Sequence, residues 1–391
     1  MESAVILEGA RTPIGKFLGA YSKKPAVELG IAATKEALKR AGLEAEQVQE
    51  LVYGHARQAG NGPNTARQVA YGSGIPQEIN SYTVNMACAS GSKAMQLAAE
   101  QIILGNAEIT VAGGTENMTQ VPFLLDRQRF GYRLGDATLV DAMYRDGFLC
   151  KLCGLVMGET AENLARQYEI SREEQDEFAL ESQRKAADGK ERRAKEMFPV
   201  EIPGRKKEIL TLTEDEHPRP DSTIEALAKL PAMFADEGGT VTAGNSSGIT
   251  DGAASLVLMS ESRAKAEGRE PLAKIAAVAS AGVDPAYMGI AVVPATKKVL
   301  DKTGMSLNDF DVVEVNEAFA AQVLACDREL KFDHDKLNVK GGAIAIGHPI
   351  GMSGARIVLS AAYEMREKGY SLGLATLCVS GGQGMAVVLE R

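Results

Sequence analysis

A relation inside the chain constrains its fold more than any local signal does. The segment "ATKEALKRAGLEAEQVQELV" from Ala33 resembles "ATKKVLDKTGMSLNDFDVVE" from Ala295, 262 residues later. "CASGSKA" from Cys88 lines up with "GMSGARI" from Gly351 at an offset of 263, and "ITVAGG" near Ile109 corresponds to "ATLCVSGG" near Ala375. One βα unit is used twice. The copies differ in one place. In the second, "TLCVSGGQGMAVVLE" passes directly from strand to strand, whereas in the first, "ITVAGG" and "ASLVLM" are separated by roughly residues 116 to 250, an insertion.

Within the first copy, "AVILEG" is predicted as a strand. Val27, Ile31, Leu38 and Ala41 recur at helical spacing over Ala26 to Ala41 before Gly42 stops the helix, and "LVYG" forms the next strand. This alternation predicts mixed or parallel sheets covered by helices. With 391 residues, 45% of them hydrophobic, the chain can build two or three domains or one large duplicated unit.

A net charge of −9 argues against a nucleic-acid or anionic-membrane partner, since both need a basic face. No stretch is long and apolar enough to span a bilayer, and "MESAVILEGARTPIG" lacks the features of a signal peptide. Five scattered cysteines do not make a disulfide framework, so a cytoplasmic location is expected. In the insertion, Ser171 to Glu174 is a capping-box helix start. The basic clusters Arg184/Lys185, Arg192/Arg193 and Arg205/Lys206/Lys207 are either solvated helix faces or, with Arg219, contacts for a phosphate-bearing ligand.

Cys88 lies in "TVNMACASGSKA", where a strand runs into a small-residue helix start. A thiol there faces unpaired N–H groups and the positive end of the dipole, which favour the thiolate; a buried structural cysteine is the alternative. His348, in "GGAIAIGHPIGMSGAR", lies in the matching element of the other copy, so a two-fold arrangement brings a base to a nucleophile. Cys378 ends a strand before "SGGQG", where a second thiol could shuttle a proton. Asn316 and Glu317 lie between a strand and a helix, where Asn316 is either a cap or an amide holding a water. Cys150 and Cys153 form a CxxC without a second ligand pair, so they are expected to be free thiols and no metal site is predicted. His217 and His334 sit among charges and are expected at the surface; His55 has no informative partner.

Six segments together resemble the thiolase family along the full chain: "GARTPIGKF", "NMACASG", "TVTAGNSSGITDGAA", "VNEAFA", "GGAIAIGHPIGMSGAR" and "CVSGGQG". The resemblance implies an α/β thiolase fold, with duplicated βαβαβαββ halves in a five-layered αβαβα arrangement. The halves would be residues 1–118 plus 250–270 and 271–391, with residues 119–249 an inserted loop domain for CoA binding and oligomerisation. It implies reversible acyl transfer, either thiolysis of 3-ketoacyl-CoA or Claisen condensation of two acyl-CoA molecules. Cys88 would accept the acyl group, His348 activate it, and Cys378 exchange the proton of the α-carbon. Asn316 would hold a water that forms one oxyanion hole with His348, and the N–H groups of Cys88 and Ser380 would form the other.

By the same resemblance, Ser247 would contact the pantetheine, Arg219 the adenine nucleotide, and Met157, Phe234, Ala243, Met288, Ala318 and Phe319 the acyl and pantetheine tunnel. CoA and acetyl-CoA would be substrates with no permanently bound cofactor, and the protein a homodimer or homotetramer. Three residues depart from the family pattern. Val156 stands where many short-chain members have histidine, which predicts a more apolar acyl pocket. Ser380 replaces a common glycine, and Met352 a usual alanine. A condensing enzyme working on another acyl thioester, such as one on a carrier protein, is disfavoured by "NEAFA" and by Cys378. A non-catalytic acyl-CoA-binding member would lack part of the Cys88, Asn316, His348, Cys378 set.

Overall fold

The computed structural model describes residues 2–204, 208–235 and 237–391. The first copy supplies strands β1 (Ala4–Arg11), β2 (Glu50–Gly54), β3 (Asn80–Val84), β4 (Ile109–Asn117) and β5 (Thr250–Ser260), with helices α1 (Ala26–Ala41), α2 (Thr65–Gly72) and α3 (Ser90–Ile103). The insertion carries α4 (Met157–Gln167) and α5 (Arg172–Asp188). The second copy supplies β6 (Ala273–Gly282), β7 (Val312–Val315), β8 (Leu372–Val379) and β9 (Gln383–Glu390), with α6 (Val292–Thr303), α7 (Ala320–Leu330) and α8 (Ile350–Lys368).

The duplication is visible in the sheet order. The first copy runs β1-β5-β4-β2-β3 and the second β6-β9-β8-β7. In both, the two pairs at the β1 or β6 end are antiparallel and the next is parallel. The second copy reduces its counterpart of β3 to a parallel bridge between Val313 and Leu337. The sheets join through Val5 with Lys274 and Ile6 with Ala273.

Helices α1 and α6 cover the outer faces of the two sheets, while α3 and α8 pack on each other between them, which makes five layers. Every residue of α8 from Ile350 to Met365 is buried, as a middle layer requires. The crossing point explains two glycines that the repeat places 263 residues apart. A Cβ on Gly91 would lie 2.6 Å from the Ala355 backbone nitrogen, and one on Gly354 would lie 2.6 Å from that of Ser92. Only glycine lets the two central backbones approach this closely.

Helix α1 spans the expected residues and ends at Gly42 in the left-handed conformation (φ 60°), its N–H bonded to Leu38 O and Lys39 O. Of the four expected apolar positions Leu38 and Ala41 are buried, with Leu29, Gly30, Ala33, Thr34 and Ala37, whereas Val27 and Ile31 are only partly buried. The apolar pattern located the helix and half of its seam, and the rest of the buried face uses mostly small residues that the pattern passed over.

The capping box is present: Glu174 N–H donates to Ser171 Oγ (3.1 Å) and Ser171 N–H to Glu174 Oε2 (2.9 Å). Arg184 is exposed, as on a solvated helix face, but its neighbour Lys185 and the Arg192/Arg193 cluster are not. Arg193 is buried beside Asp215, which also takes Arg11 Nη1 at 2.7 Å. Arg192 pairs with Glu364 and donates to Val339 O, and Lys185 donates to His334 O and Leu337 O. These charges fasten the insertion to both copies. Arg205, Lys206 and Lys207 lie outside the described residues. Among the described residues no helix is long and apolar enough to cross a membrane.

Candidate active site

The two copies meet at a cavity. Strand β3 ends at Val84, and the chain makes a tight turn over Ala87–Ala89 before α3 begins. Ala87 is held at φ 42°, a strained conformation for a residue with a Cβ. Ala87 N–H donates to Asn85 Oδ1 (2.9 Å), while Ser90 Oγ accepts from Met86 N–H (2.9 Å) and donates to Ala87 O (2.7 Å). The turn presents Cys88 to the cavity.

From the other copy, the loop preceding α8 turns through Gly347 at φ 101° and presents His348. His348 Nε2 lies 3.3 Å from Cys88 Sγ, and Nδ1 lies 2.6 Å from Ser353 Oγ. The Ser353 hydroxyl donates to Pro349 O (2.8 Å), so it accepts from Nδ1–H. That assigns the proton to Nδ1 and leaves the Nε2 lone pair facing the thiol.

Asn316, at the end of β7, is not a helix cap. Its Nδ2 lies 3.4 Å from His348 Nε2, and its Oδ1 accepts from Arg356 Nη2 (3.2 Å), which orients the amide; Arg356 in turn pairs with Glu314 (3.3 Å). Glu317 is a buried brace that accepts from Ser182 (2.7 Å), Asn338 (2.7 Å) and Ile344 N–H (3.1 Å).

Histidine 55 does have a partner. Its Nε2 is 3.2 Å from buried Glu116, and its Nδ1 is 2.8 Å from Thr65 Oγ1. Glu116 also accepts from the N–H groups of Ala56 (3.2 Å), Arg57 (3.0 Å) and Gly351 (2.8 Å). One carboxylate therefore ties the Arg57 loop to the start of α8, two residues after the Pro349 that follows His348.

The electrostatics overturn the expectation of a resting thiolate. Burial pushes the Cys88 thiol up, and the Arg57 charge and the N–H groups of Ser380 and Cys88 that point at the sulfur only partly oppose it. Burial costs the thiolate more than these groups return. Burial, reinforced by the Arg356 charge, lowers His348 to about 3. The resting pair is neutral thiol and neutral imidazole. Burial also raises Cys378 far above its ordinary range, so it too is a neutral thiol.

Cys88, His348, Cys378 and Ser380 line one cavity of about 540 Å³. The same cavity is lined by Ser247, Arg219, Met157, Phe234, Ala243, Met288, Ala318 and Phe319; Asn316 lies behind His348, fully buried. Val156 faces it as well. The sequence missed Lys16, Arg57, Tyr144, Phe148, His217 and Ile350, which also line it. His217 is not on the surface: it is partly buried, Nδ1 is 3.0 Å from Ala345 O, and burial lowers its pKa. Its charged neighbours hid it. His334 is exposed as expected.

Five α/β layers built from two copies of one unit, with a thiol from one copy meeting an imidazole from the other beside a long cavity, define the class of molecule. Family models for the thiolase N-terminal domain and the thiolase C-terminal domain match residues 4–262 and 269–391. The chain belongs to the thiolase family. It is 50% identical over 394 residues to the acetyl-CoA acetyltransferase of Escherichia coli K12, with all of both chains covered. The crystal structure of the Bacillus anthracis acetyl-CoA acetyltransferase superposes with a TM-score of 0.96 at 45% identity, covering 100% of this chain and 99% of that one. Human mitochondrial 3-ketoacyl-CoA thiolase superposes with a TM-score of 0.96 at 39% identity, with the same coverage.

Proposed function

We propose that this protein is an acyltransferase that moves acyl groups between CoA thioesters through an acyl-enzyme on Cys88, by thiolysis of 3-ketoacyl-CoA or by the reverse condensation. The observation that carries this reading is the 3.3 Å approach of the His348 Nε2 lone pair to Cys88 Sγ. In the cleavage direction His348 takes the Cys88 proton, and the sulfur attacks the 3-keto carbon. The bond between C2 and C3 breaks, and C2 takes a proton from Cys378 to release acetyl-CoA. Incoming CoA then gives its thiol proton to Cys378, its thiolate takes the acyl group, and Cys88 recovers its proton from His348. The N–H groups of Cys88 and Ser380 both lower the Cys88 thiol, which supports a role in holding the oxyanion of the acyl-enzyme step; at Ser380 the donor would be the backbone N–H, which remains available. Asn316, oriented by Arg356, would hold a water that shares the other oxyanion with His348.

Lys16 and Arg219, both exposed at the cavity, are suited to the phosphates of CoA, with Ser247 beside the pantetheine. The apolar wall of Phe148, Val156, Met157, Met288 and Ile350 favours acyl chains longer than acetoacetyl. On this reading residues 119–249 form a domain for CoA binding and oligomerisation between halves 1–118 plus 250–270 and 271–391, in a cytoplasmic homodimer or homotetramer; light scattering that finds a stable active monomer contradicts the assembly.

The test is CoA-dependent cleavage of 3-ketoacyl-CoA esters of increasing length by wild type and Cys88→Ala, with intact mass after acetyl-CoA treatment. One acetyl adduct on wild type and none on the variant are expected. Active protein without any adduct refutes the covalent route, and cleavage confined to acetoacetyl-CoA refutes the proposed length preference.

A further inference from the structure

Between the cavity-lining residues Phe148 and Val156 the insertion makes a tight hairpin. Leu149 and Val156 form an antiparallel bridge, Cys150 N–H donates to Leu155 O (2.8 Å), and Gly154 N–H donates to Cys150 O (2.8 Å). Cys150 and Cys153 flank the turn at its tip, and both are free thiols. A turn brings Cα atoms three residues apart to within about 7 Å, which overlaps the roughly 4.4–6.8 Å that a disulfide spans. The two thiols are near enough that each shifts the other's titration.

The hairpin also touches the loop that carries Ser380. The Gly381 N–H helps to lower the Cys150 thiol, and Leu152 Cδ1 lies 3.9 Å from where a Cβ on Gly381 would sit. The neighbouring Ser380 N–H points at Cys88. Neither Cys150 nor Cys153 lines the cavity, but Val156 of the bridge does, and so do Phe148 before it and Ser380 next to Gly381.

We propose that Cys150 and Cys153 are a dithiol site that closes reversibly to a disulfide by exchange with a low-molecular-weight disulfide, and that closure alters acyl-CoA binding through Val156 and the Ser380 loop. Cys153, the more exposed of the two, meets the external disulfide first. Its thiolate forms a mixed disulfide and releases one thiol of the reagent, which carries off the Cys153 proton. Cys150 then attacks the Cys153 sulfur and releases the second thiol with the second proton. Two protein thiols are oxidised and one disulfide is reduced to two thiols. Cys150 suits the second attack. Burial pushes it up, but the N–H groups of Cys153, Leu152 and Gly381 and the Cys153 thiol outweigh burial and hold it below its ordinary value.

The experiment poises the full-length protein in glutathione and glutathione disulfide buffers, alkylates differentially, and locates disulfides by peptide mass. Steady-state kinetics are measured on the same samples. The expected result is a Cys150–Cys153 disulfide at potentials where Cys88 and Cys378 still alkylate. KM for acyl-CoA should shift several-fold and return with dithiothreitol, while Cys153→Ser keeps the reduced enzyme's kinetics at every potential. Full alkylation of Cys150 and Cys153 at the oxidising limit overturns the site. A disulfide without any kinetic change overturns the coupling, and so does an equal loss of activity in Cys153→Ser, which would locate the oxidation at Cys88 or Cys378.

Discussion

Replacing Ser353 by alanine tests the proton assignment at His348. Ser353 Oγ accepts from Nδ1–H at 2.6 Å and is itself fixed by donating to Pro349 O at 2.8 Å. Pro349 O also accepts from the N–H groups of Met352 and Ser353, so the variant orphans one group only, the buried Nδ1–H. In the resting enzyme that bond joins neutral partners. Once the ring takes the Cys88 proton it becomes charge-assisted and contributes about 1.5–3 kcal/mol. An interaction stronger in the transition state than in the ground state shows up in kcat. The expected loss is about 10- to 100-fold in kcat with KM little changed. The assay is steady-state thiolysis together with the rate of Cys88 acylation followed by intact mass, on protein shown to be folded by its near-UV spectrum. A kcat within about twofold of wild type, or a loss confined to KM, refutes the idea that Ser353 sets the imidazole tautomer.

Gly91→Ala forces a Cβ to within 2.6 Å of the Ala355 nitrogen and should cost about 1–3 kcal/mol in denaturant unfolding; an unchanged midpoint contradicts the close helix crossing. His348 is neutral in the folded protein, with a pKa lowered to about 3, while the unfolded chain titrates near 6.5. Unfolding therefore binds a proton between those values, and this group's stabilisation is whole above about pH 6.5 and is lost as pH falls toward about 3, by up to about 1.4 kcal/mol per pH unit. His348→Asn should flatten the acid side of the stability curve by that amount, and parallel curves for the two proteins would sink the assignment. Val156→His places a polar ring in an apolar wall and should cost long-chain 3-ketoacyl-CoA esters about 1–3 kcal/mol in kcat/KM relative to acetoacetyl-CoA; an unchanged ratio shows that Val156 does not set chain length.

The duplication was legible because it left matched segments: the 263-residue offset between "CASGSKA" and "GMSGARI" predicted that α3 and α8 would occupy equivalent places. It also predicted the meeting of Cys88 with His348, since a two-fold relation brings equivalent helix starts together. What the pattern could not carry was the packing mode. The α1 seam adds Gly30, Ala33, Thr34 and Ala37 to the predicted Leu38 and Ala41, and the second copy's third strand shrinks to one bridge at Leu337, because layer spacing and neighbouring side chains decide these features.

The site divides along the same physical line. Cys88, His348 and Cys378 were recoverable one at a time, because residue type and a local turn suggest their chemistry, whereas the other cavity residues came through the family resemblance or were missed. The groups that set the site's protonation were not recoverable, because each acts from another element: Ser353 one turn into α8, Arg356 a further turn along it, Glu116 on β4 with His55 after β2. Glu116 and Arg356 push His348 in opposite directions, and burial decides the outcome in favour of the neutral ring. Helix-terminus reasoning alone predicted a thiolate, since it counted the dipole and left out the desolvation that a five-layer fold imposes at its centre. A neutral pair has a chemical consequence that an ion pair lacks. On the proposed acyl-enzyme route the imidazole would accept the thiol proton as the sulfur bonds to carbon, so acylation would be coupled to arrival of the thioester and the resting thiol shielded from adventitious electrophiles. Slow alkylation of Cys88 by iodoacetamide at neutral pH, set against fast acylation by acyl-CoA, is the expected signature; fast alkylation insensitive to pH between 6 and 8 would mean a resting thiolate and refute the neutral pair.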